Sequence, residues 1–306
     1  MKTLLHETYF GLGDCIYERP FVVEMAKQFD RVYVRTPFPQ LYEDQDPSRF
    51  WFLPRHSRLN LQERCVDAFR WWAEEPESGH ISHKTCFWMS GVNSPIGCLT
   101  DRFLFDSGLD SVDFSMPIMH NWMLPAIDLM RRLGINSSGN RGKRVCIVKR
   151  PTLRNEWYCP ARNPRIEYLQ EIIDYLHEDY VFISVADLRD GEEWLDGELS
   201  GIQFEFHAGE IDVWTLLGLV SLADLSICTQ SFFVPFALAT GSTCFCVYGG
   251  FGGPWRYISR WMDTSRFGYA APDPFCDCGK MEHRCHKEIP QLMDTFKNFH
   301  DRMLAL

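Results

Sequence analysis

The sequence of 306 residues has no long hydrophobic run and no excess of positive charge. No stretch approaches the roughly 18 apolar residues that a membrane-spanning helix needs. The start lacks a basic segment followed by an apolar stretch and a small-residue cleavage site, so we expect no secretory leader. The formal charge of −10 disfavours a protein that binds nucleic acid through a globally basic surface. Without a membrane-spanning run or a leader, the protein is predicted to be cytoplasmic.

The composition is that of a packed globular protein, with 45% hydrophobic, 14% aromatic and 24% charged residues. The twelve cysteines are scattered through the chain, which is typical of reduced thiols in a cytoplasm. A polar segment rich in glycine and serine, residues 134–143, is the best linker candidate. It predicts an N-terminal domain over residues 1–137 and a C-terminal domain over residues 138–306.

Strand and helix patterns alternate in both halves and predict an α/β fold. The first half opens with a strand over residues 2–8, a helix over 14–28 and a strand over 31–36, the usual start of a parallel sheet. In the second half, an amphipathic helix over residues 164–178 lies among short apolar runs that read as buried strands. These runs are "RVCIVK", "YVFISVAD", "IQFEFH", "LSICT" and "TCFCVYGG".

Three segments, in this order and spacing, resemble the family 9 glycosyltransferases, the heptosyltransferase group, which includes phage-encoded relatives. They are "GLGDCIYERPFVVEMAKQFDRVYVRT", "VCIVKRPTLRNEW" and "LLGLVSLADLSICTQSFFVPFALATGSTCFCVYGG". The resemblance implies a GT-B fold, in which two Rossmann-like α/β domains face each other across a cleft. It also implies that the N-terminal domain binds the acceptor and the C-terminal domain binds a nucleotide-sugar donor. Residues 230–235 depart from the Asp-Thr-Gly and following His that the family usually carries.

Asp14 is the candidate catalytic base, because the resemblance places the family's catalytic aspartate there. Inverting glycosyl transfer needs a group that takes the proton of the acceptor hydroxyl. Gly11 and Gly13 are expected to let the backbone turn so that the carboxylate faces the cleft. Two other roles are open. Asp14 could cap the following helix, or the turn itself could bind phosphate, although the negative charge of Asp14 disfavours the latter.

The segment "KRPTLR" supplies candidate ligands for the donor diphosphate. Lys149, Arg150 and Arg154 follow a predicted strand, and ligands bind at the carboxyl ends of strands in open α/β sheets. A guanidinium holds a phosphate through two parallel hydrogen bonds. Arg162 and Arg165 are weaker candidates on the next loop. The alternative is a solvated loop with surface arginines.

Two further segments are donor-binding candidates. Gln230 and Ser231 end a strand where the family grips its donor, and they are suited either to bind a sugar hydroxyl or phosphate or to cap the next helix. Gly249 and Gly250 belong to the glycine-rich loop 248–255, which lacks the residues of an ATP-binding or dinucleotide-binding loop. Close approach of the backbone to the donor and simple loop flexibility both account for these glycines.

A cluster near the C-terminus has the ligands of a structural zinc site. Cys276, Cys278, His283 and Cys285 form C-x-C-x4-H-x-C, and His286 is a substitute for His283. Four such ligands complete the tetrahedron that structural zinc prefers. The spacing is not that of a standard zinc finger, and cytoplasmic cysteine pairs often bind no metal.

The sequence thus predicts a glycosyltransferase that uses a UDP- or ADP-linked sugar and transfers it with inversion. The predicted acceptor is a bacterial glycan such as lipopolysaccharide core. One alternative is a phage DNA glycosyltransferase acting on hydroxymethylated pyrimidines, since the segment 131–154 and "RHSRLNLQER" are locally basic. Another is a non-catalytic, zinc-bearing interaction protein on a GT-B scaffold.

Overall fold

The computed structural model describes residues 2–57, 60–76, 79–84, 98–135, 142–277 and 285–306. The chain forms two compact units. The first comprises Met1–Pro117 and Trp255–Met262, and the second comprises Ile118–Pro254 and Asp263–Leu306. Among the described residues, no helix combines the length and the apolar character needed to cross a bilayer.

The first unit contains a parallel sheet of four strands in the order β3-β2-β1-β4. Helix α1 connects β1 to β2, as the sequence predicts, and the apolar side chains of β2 are buried in the core. The elements of this unit are β1 (Thr3–Glu7), α1 (Leu12–Ala26), β2 (Arg31–Thr36), a 3-10 turn (Pro39–Tyr42), β3 (Phe50–Pro54), α2 (Asn60–Ala68), β4 (Ile81–Lys84), α3 (Leu99–Asp106) and a second 3-10 turn (Pro254–Arg256) that begins at the unit boundary.

Asp101, in the first turn of α3, explains why residues 255–262 belong to the first unit. Its carboxylate accepts hydrogen bonds from the hydroxyl of Ser259 and, at 2.8 Å, from the indole nitrogen of Trp261. The indole ring then packs edge-on against Phe21 of α1. These contacts are distant in sequence, so the prediction that all residues after 137 form one domain did not include them.

The second unit contains a parallel sheet of six strands in the order β12-β11-β10-β5-β7-β9, so the predicted doubly wound α/β domain is confirmed. A short antiparallel pair, β6–β8, lies beside it. The elements are α4 (His120–Arg132), β5 (Arg144–Lys149), β6 (Thr152–Arg154), a 3-10 turn (Pro160–Arg162), α5 (Ile166–Leu176), β7 (Tyr180–Val185), β8 (Glu193–Leu195), β9 (Phe204–Phe206), α6 (Val213–Leu222), β10 (Leu225–Cys228), α7 (Phe233–Thr240), β11 (Cys244–Val247), β12 (Phe267–Ala270) and α8 (Leu292–Leu304).

Helix α4 belongs to the second unit, although the predicted division at residue 137 assigns it to the first. The physical reason is a close helix–helix contact. Gly218 of α6 lies directly against the backbone carbonyl of Trp122 in α4, where any side chain would clash. The indole of Trp122 stacks on that of Trp214. The C-terminal helix α8 also packs within this unit, because Phe296 and Phe299 contact Phe245 of β11.

Candidate active-site residues at the ends of two parallel sheets

The turn after β1, residues 8–11, occupies the position where open α/β sheets usually bind ligands. From β1 the chain passes through α1 to β2 on one side, whereas β4 pairs with β1 on the other side. The strand order therefore reverses beside β1, and crevices for ligands form at the carboxyl ends of strands at such switch points. Asp14 lies in the first turn of α1, immediately after this turn, and is half-buried.

The carboxylate of Asp14 lies where a side chain at position 11 would be, and glycine leaves that space open. A β-carbon at Gly11 would lie 2.5 Å from Oδ2 of Asp14, so any side chain would displace the carboxylate. The backbone φ of Gly11 is −71°, which every residue type adopts. The expected reason for this glycine, conformational freedom in a turn, is therefore wrong, and the actual reason is space. Gly11 itself is the N-cap residue of α1, so Asp14 is the third helical residue and not the N-cap.

Beside the turn lies a cluster of buried polar side chains that the sequence analysis did not identify. His6 of β1 and Glu18 of α1 are 1% and 0% exposed, and 3.5 Å separates Nε2 of His6 from Oε2 of Glu18. Both carboxylate oxygens of Glu18 accept from the backbone N–H of Tyr9, at 3.0 and 3.1 Å. Nδ1 of His6 lies 3.1 Å from Nδ1 of His83, its partner on β4. Burial lowers the pKa of His6 to about 3 and that of His83 to about 4, so both are neutral at pH 7.

Arg55, at the end of β3, is a second charged group beside the turn. It is buried, forms an ion pair with Glu7 and lies 4.2 Å from the centre of the Phe10 ring. Burial raises the pKa of Tyr9, with the charge of Asp14 acting in the same direction and that of Arg55 opposing it. The two charges therefore lie close enough to Tyr9 to act on it. Arg55 is part of the basic stretch considered for DNA binding, and its ion pair with Glu7 engages that charge within the protein.

In the second unit, three cations lie together at the end of β5 and on the segments that follow it. Burial lowers the pKa of Lys149 to about 8, and the positive charge of Arg162 contributes to the same shift. The guanidinium groups of Arg154 and Arg162 lie 5.4 and 5.0 Å from the centre of the Trp157 ring. Glu193 of β8 is 3.8 Å from Arg154 and acts electrostatically on Lys149. Arg162, a weaker candidate from sequence, thus joins two of the main ones.

Arg150 has partners of its own, and its contact with a donor stays a prediction. Its guanidinium is buried and donates to the backbone carbonyl of Gly197 at 2.6 Å. The carboxylates that act on it are those of Glu205 and Glu198.

The glycine loop after β11 packs on the turn that carries Arg162. A β-carbon at Gly249 would lie 2.5 Å from the carbonyl oxygen of Arg162 and 2.6 Å from that of Ala161. The N–H groups of Gly250 and Phe251 both donate to the Ala161 carbonyl, at 2.7 and 3.1 Å. The close approach that these glycines permit is therefore to the protein's own backbone. Contact of Gly249 and Gly250 with a donor stays a prediction.

The side chains of Gln230 and Ser231, which follow β10, have different environments. The hydroxyl of Ser231 accepts from the N–H of Phe233 at 3.4 Å and so contributes to the start of α7. Oε1 of Gln230 is buried and has no hydrogen-bond partner among the described residues. Gln230 is therefore the better candidate for a ligand contact.

The predicted zinc ligands are only partly described. Cys278 and His283 lie outside the described residues, and Cys276 is exposed. Cys285 packs with Trp157 against a small cluster formed by Cys159 and Ala161. Across the described ranges, no three His, Cys, Asp or Glu side chains form a group that could hold a metal ion. The zinc site stays a prediction.

Comparison with solved structures decides the fold. A family 9 glycosyl transferase from Veillonella parvula superimposes with a TM-score of 0.64 at 14% identity, covering 100% of this chain and 98% of that chain. The fold is GT-B. ADP-heptose LPS heptosyltransferase II of E. coli gives a TM-score of 0.55 at 10% identity, covering 100% of this chain and 99% of that one. E. coli heptosyltransferase WaaC, solved with ADP, gives 0.54 at 10% identity, covering 98% and 99%.

The resemblance predicted from three sequence segments is thus confirmed for the fold. No family model matches the sequence, and no curated protein matches it. The structural likeness covers the whole chain and is not confined to the three segments that carry the sequence resemblance.

Proposed function

We propose that this protein is an inverting glycosyltransferase that moves a sugar from a nucleotide-sugar donor to an acceptor hydroxyl. The observation that carries the proposal is the position of Asp14. Its half-buried carboxylate follows the switch-point strand of a GT-B first unit, and Gly11 leaves the space that it occupies. A carboxylate in such a crevice is suited to act as a general base.

In the proposed reaction, Asp14 accepts the proton of the acceptor hydroxyl as that oxygen attacks the anomeric carbon of the donor. A new glycosidic bond forms on one face of the sugar while the bond to the diphosphate oxygen breaks on the other face. The electron pair of the broken bond leaves with the nucleoside diphosphate, and the configuration at the anomeric carbon is inverted. Asp14 ends the step protonated and releases its proton to solvent.

The diphosphate is held by the cations after β5. Negative charge builds up on its oxygens as the bond breaks, and cations fixed in advance stabilise that charge without reorganisation. The charge of Arg162 acts on both Lys149 and Arg154, so the three cations are proposed to form one site for this charge. The two arginines provide paired N–H donors that match phosphate oxygens.

The donor is proposed to be a nucleoside diphosphate sugar, with adenosine favoured over uridine because a GT-B neighbour was solved with ADP. The sugar itself need not be heptose, since residues 230–235 lack the Asp and His of the family pattern. Gln230 offers a buried acceptor oxygen there for a sugar hydroxyl.

The proposed acceptor is a bacterial glycan such as lipopolysaccharide core. The formal charge of −10 opposes the approach of DNA, because DNA binding depends on neutralising phosphates. The ion pair between Arg55 and Glu7 supports the same choice.

A donor panel with an aspartate variant tests this function. Wild-type protein is incubated with ADP- and UDP-sugars, and release of nucleoside diphosphate is measured with and without lipopolysaccharide core or hydroxymethylated DNA. The correct donor should also raise the melting temperature by mass action. Asp14→Asn should keep that thermal shift and lose transfer, because only the base is removed. Asp67→Asn, at an exposed position on α2, is the matched control and should behave as wild type.

Two results would reject the proposal. One is the absence of both thermal shift and donor turnover across the panel. The other is an Asp14→Asn variant whose turnover equals that of wild type, which would remove Asp14 from the chemistry.

A further inference from the structure

Glu18 is a buried carboxylate for which the reaction proposed above has no use. It lies on α1, one helical turn after Asp14, with a side chain that is 0% exposed. Removing a carboxylate from water is unfavourable unless hydrogen bonds or charges compensate for the lost hydration. An apolar side chain would fill a buried helix position without that difficulty. The partners of Glu18 therefore indicate what the carboxylate contributes.

The partners of Glu18 connect helix α1 to the turn after β1. Both oxygens of Glu18 accept from the backbone N–H of Tyr9, at 3.0 and 3.1 Å, and Oε2 is 3.5 Å from Nε2 of His6. Tyr9 is the second residue after β1. Glu18 thus connects α1 to the backbone that leaves the central strand.

A neighbouring residue on α1 fastens the same turn. The thiol of Cys15 lies 3.5 Å from the hydroxyl of Thr8 and 3.4 Å from the carbonyl oxygen of Tyr9. The N–H of Cys15 donates to the carbonyl of Gly11 at 2.9 Å. The start and the end of the turn are therefore both tied to the first two turns of α1, on either side of Asp14.

The position of Asp14 depends on this turn. Oδ2 of Asp14 rests over Gly11, in space that a β-carbon would fill. Asp14 and Glu18 both act electrostatically on Tyr9 and on Cys15, so both carboxylates lie near the same short segment. A shift of the backbone from Tyr9 to Gly11 would move the surface against which the Asp14 carboxylate rests.

We propose that Glu18 is a positioning residue for glycosyl transfer, whose buried carboxylate fixes the turn after β1 and so sets where Asp14 meets the acceptor. The inference rests on the proposed role of Asp14 as the base. Glu18 touches no reacting atom. Because it acts through a hydrogen bond, an uncharged acceptor of the same shape can replace it.

Two substitutions at Glu18 separate the hydrogen bond from the mere filling of space. Glu18→Gln keeps an acceptor oxygen for the N–H of Tyr9, whereas Glu18→Met fills a similar volume without one. Glu18→Met should lower kcat about tenfold or more, since small errors in the position of a catalytic group have effects of this size. Its KM for the donor should stay within about twofold of wild type. Glu18→Gln should recover most of kcat.

The matched control is Glu24→Met on the same helix. Glu24 forms an ion pair with Lys27 near the surface, so its loss should leave kcat and KM unchanged. Hydrogen exchange of the Tyr9 amide, followed by NMR, gives a readout that does not need activity. Exchange should be at least about tenfold faster in Glu18→Met than in Glu18→Gln or in the control, because a buried amide without its acceptor opens more readily.

The outcomes distinguish this inference from the proposed function. If wild-type protein transfers no sugar, the function fails, and the exchange rates still test whether Glu18 holds the turn. Unchanged exchange of the Tyr9 amide in Glu18→Met overturns the inference. So does a Glu18→Met variant with a faster-exchanging amide and wild-type kcat, and so does a Glu18→Gln variant as defective in kcat as Glu18→Met.

Discussion

The carboxylate of Asp14 occupies the space that a side chain at Gly11 would need, with Oδ2 only 2.5 Å from the position of a β-carbon. Gly11→Ala should therefore push the carboxylate away and lower kcat, while the helix start is destabilised by less than about 1 kcal/mol. A double-mutant cycle checks the cause. In an Asp14→Asn background, adding Gly11→Ala should lower the residual rate no further. An equal additional loss there would mean that alanine acts by another route.

The three cations after β5 should determine the affinity for the donor diphosphate. Arg154→Ala and Arg162→Ala should each weaken nucleoside diphosphate binding about tenfold or more, since a charge-assisted hydrogen bond contributes roughly 1.5–3 kcal/mol. Arg150→Ala is the matched control, because that guanidinium is bound to the carbonyl of Gly197. Calorimetric titration measures all three. Equal weakening by Arg150→Ala would show that Arg150 also binds the diphosphate.

Binding of the nucleoside diphosphate should weaken as the pH rises from 7 to 9. The pKa of Lys149 is lowered to about 8 by burial, so its positive charge is present at pH 7 and largely lost at pH 9. Above the pKa of Lys149 in the free protein, the loss should approach tenfold in affinity per pH unit, because one proton is linked to binding. Lys149→Arg keeps its charge throughout and should flatten the dependence. A slope in wild type that the arginine variant retains would assign the effect to another group.

The buried His6 should make the first unit sensitive to acid. In the unfolded chain a histidine binds a proton below about pH 6.5, whereas native His6, with its pKa of about 3, stays neutral. Between these values the unfolded state binds more protons, so the free energy of unfolding falls as the pH falls, by about 1.4 kcal/mol per pH unit. The half-buried His83 should contribute less, since solvent screens it.

Urea unfolding of wild type and His6→Gln between pH 4.5 and pH 7, followed by the fluorescence of tryptophans, measures this dependence. The variant is expected to be less stable at pH 7 and to lose less stability on acidification. Parallel pH profiles for the two proteins would show that His6 does not remain neutral in the native state.

The cysteine and histidine cluster should hold close to one zinc ion per chain. Metal analysis of protein purified without chelator checks this, and a zinc content near zero would rule the site out. Cys276→Ser is the better variant, because Cys276 is exposed whereas Cys285 also packs with Trp157. It should release the metal and destabilise the C-terminal region, and nucleotide binding should persist because the ion is proposed to be structural.

The parts of the fold that could be predicted are those written in local patterns. The alternation of apolar and polar residues in "RVYVRT" predicts a strand, and the apolar run "RVCIVK" predicts a buried strand. Both segments are strands in the structure. The division of the chain could not be read in this way. The division depends on two contacts between residues far apart in the chain. Gly218 packs against Trp122, 96 residues away, and Asp101 accepts a hydrogen bond from Trp261, 160 residues away.

The candidate site shows the same limit. Asp14 was identified through a family resemblance, and "KRPTLR" through its charge at a strand end. Sequence could not distinguish Arg150 from Arg154, because the difference lies in the hydrogen bond between the Arg150 guanidinium and the distant carbonyl of Gly197. Glu18 and His6 carried no signal at all. A polar residue on the buried face of a helix or strand only interrupts the hydrophobic periodicity, and its role is recognised only when its partners are known.

Because Asp101 binds residues 255–262, the first unit cannot complete its folding during synthesis until those residues have been made. The 137 residues from Ile118 to Pro254 must be synthesised before the last piece of the first unit leaves the ribosome. At about 5–20 residues per second this takes roughly 7 to 27 seconds. During that interval Tyr17 and Phe21 lack the ring contacts of Tyr257 and Trp261. The N-terminal part of the nascent chain therefore stays incomplete while the second unit is being synthesised, and a gene fragment that stops at residue 117 would encode a protein permanently in that state.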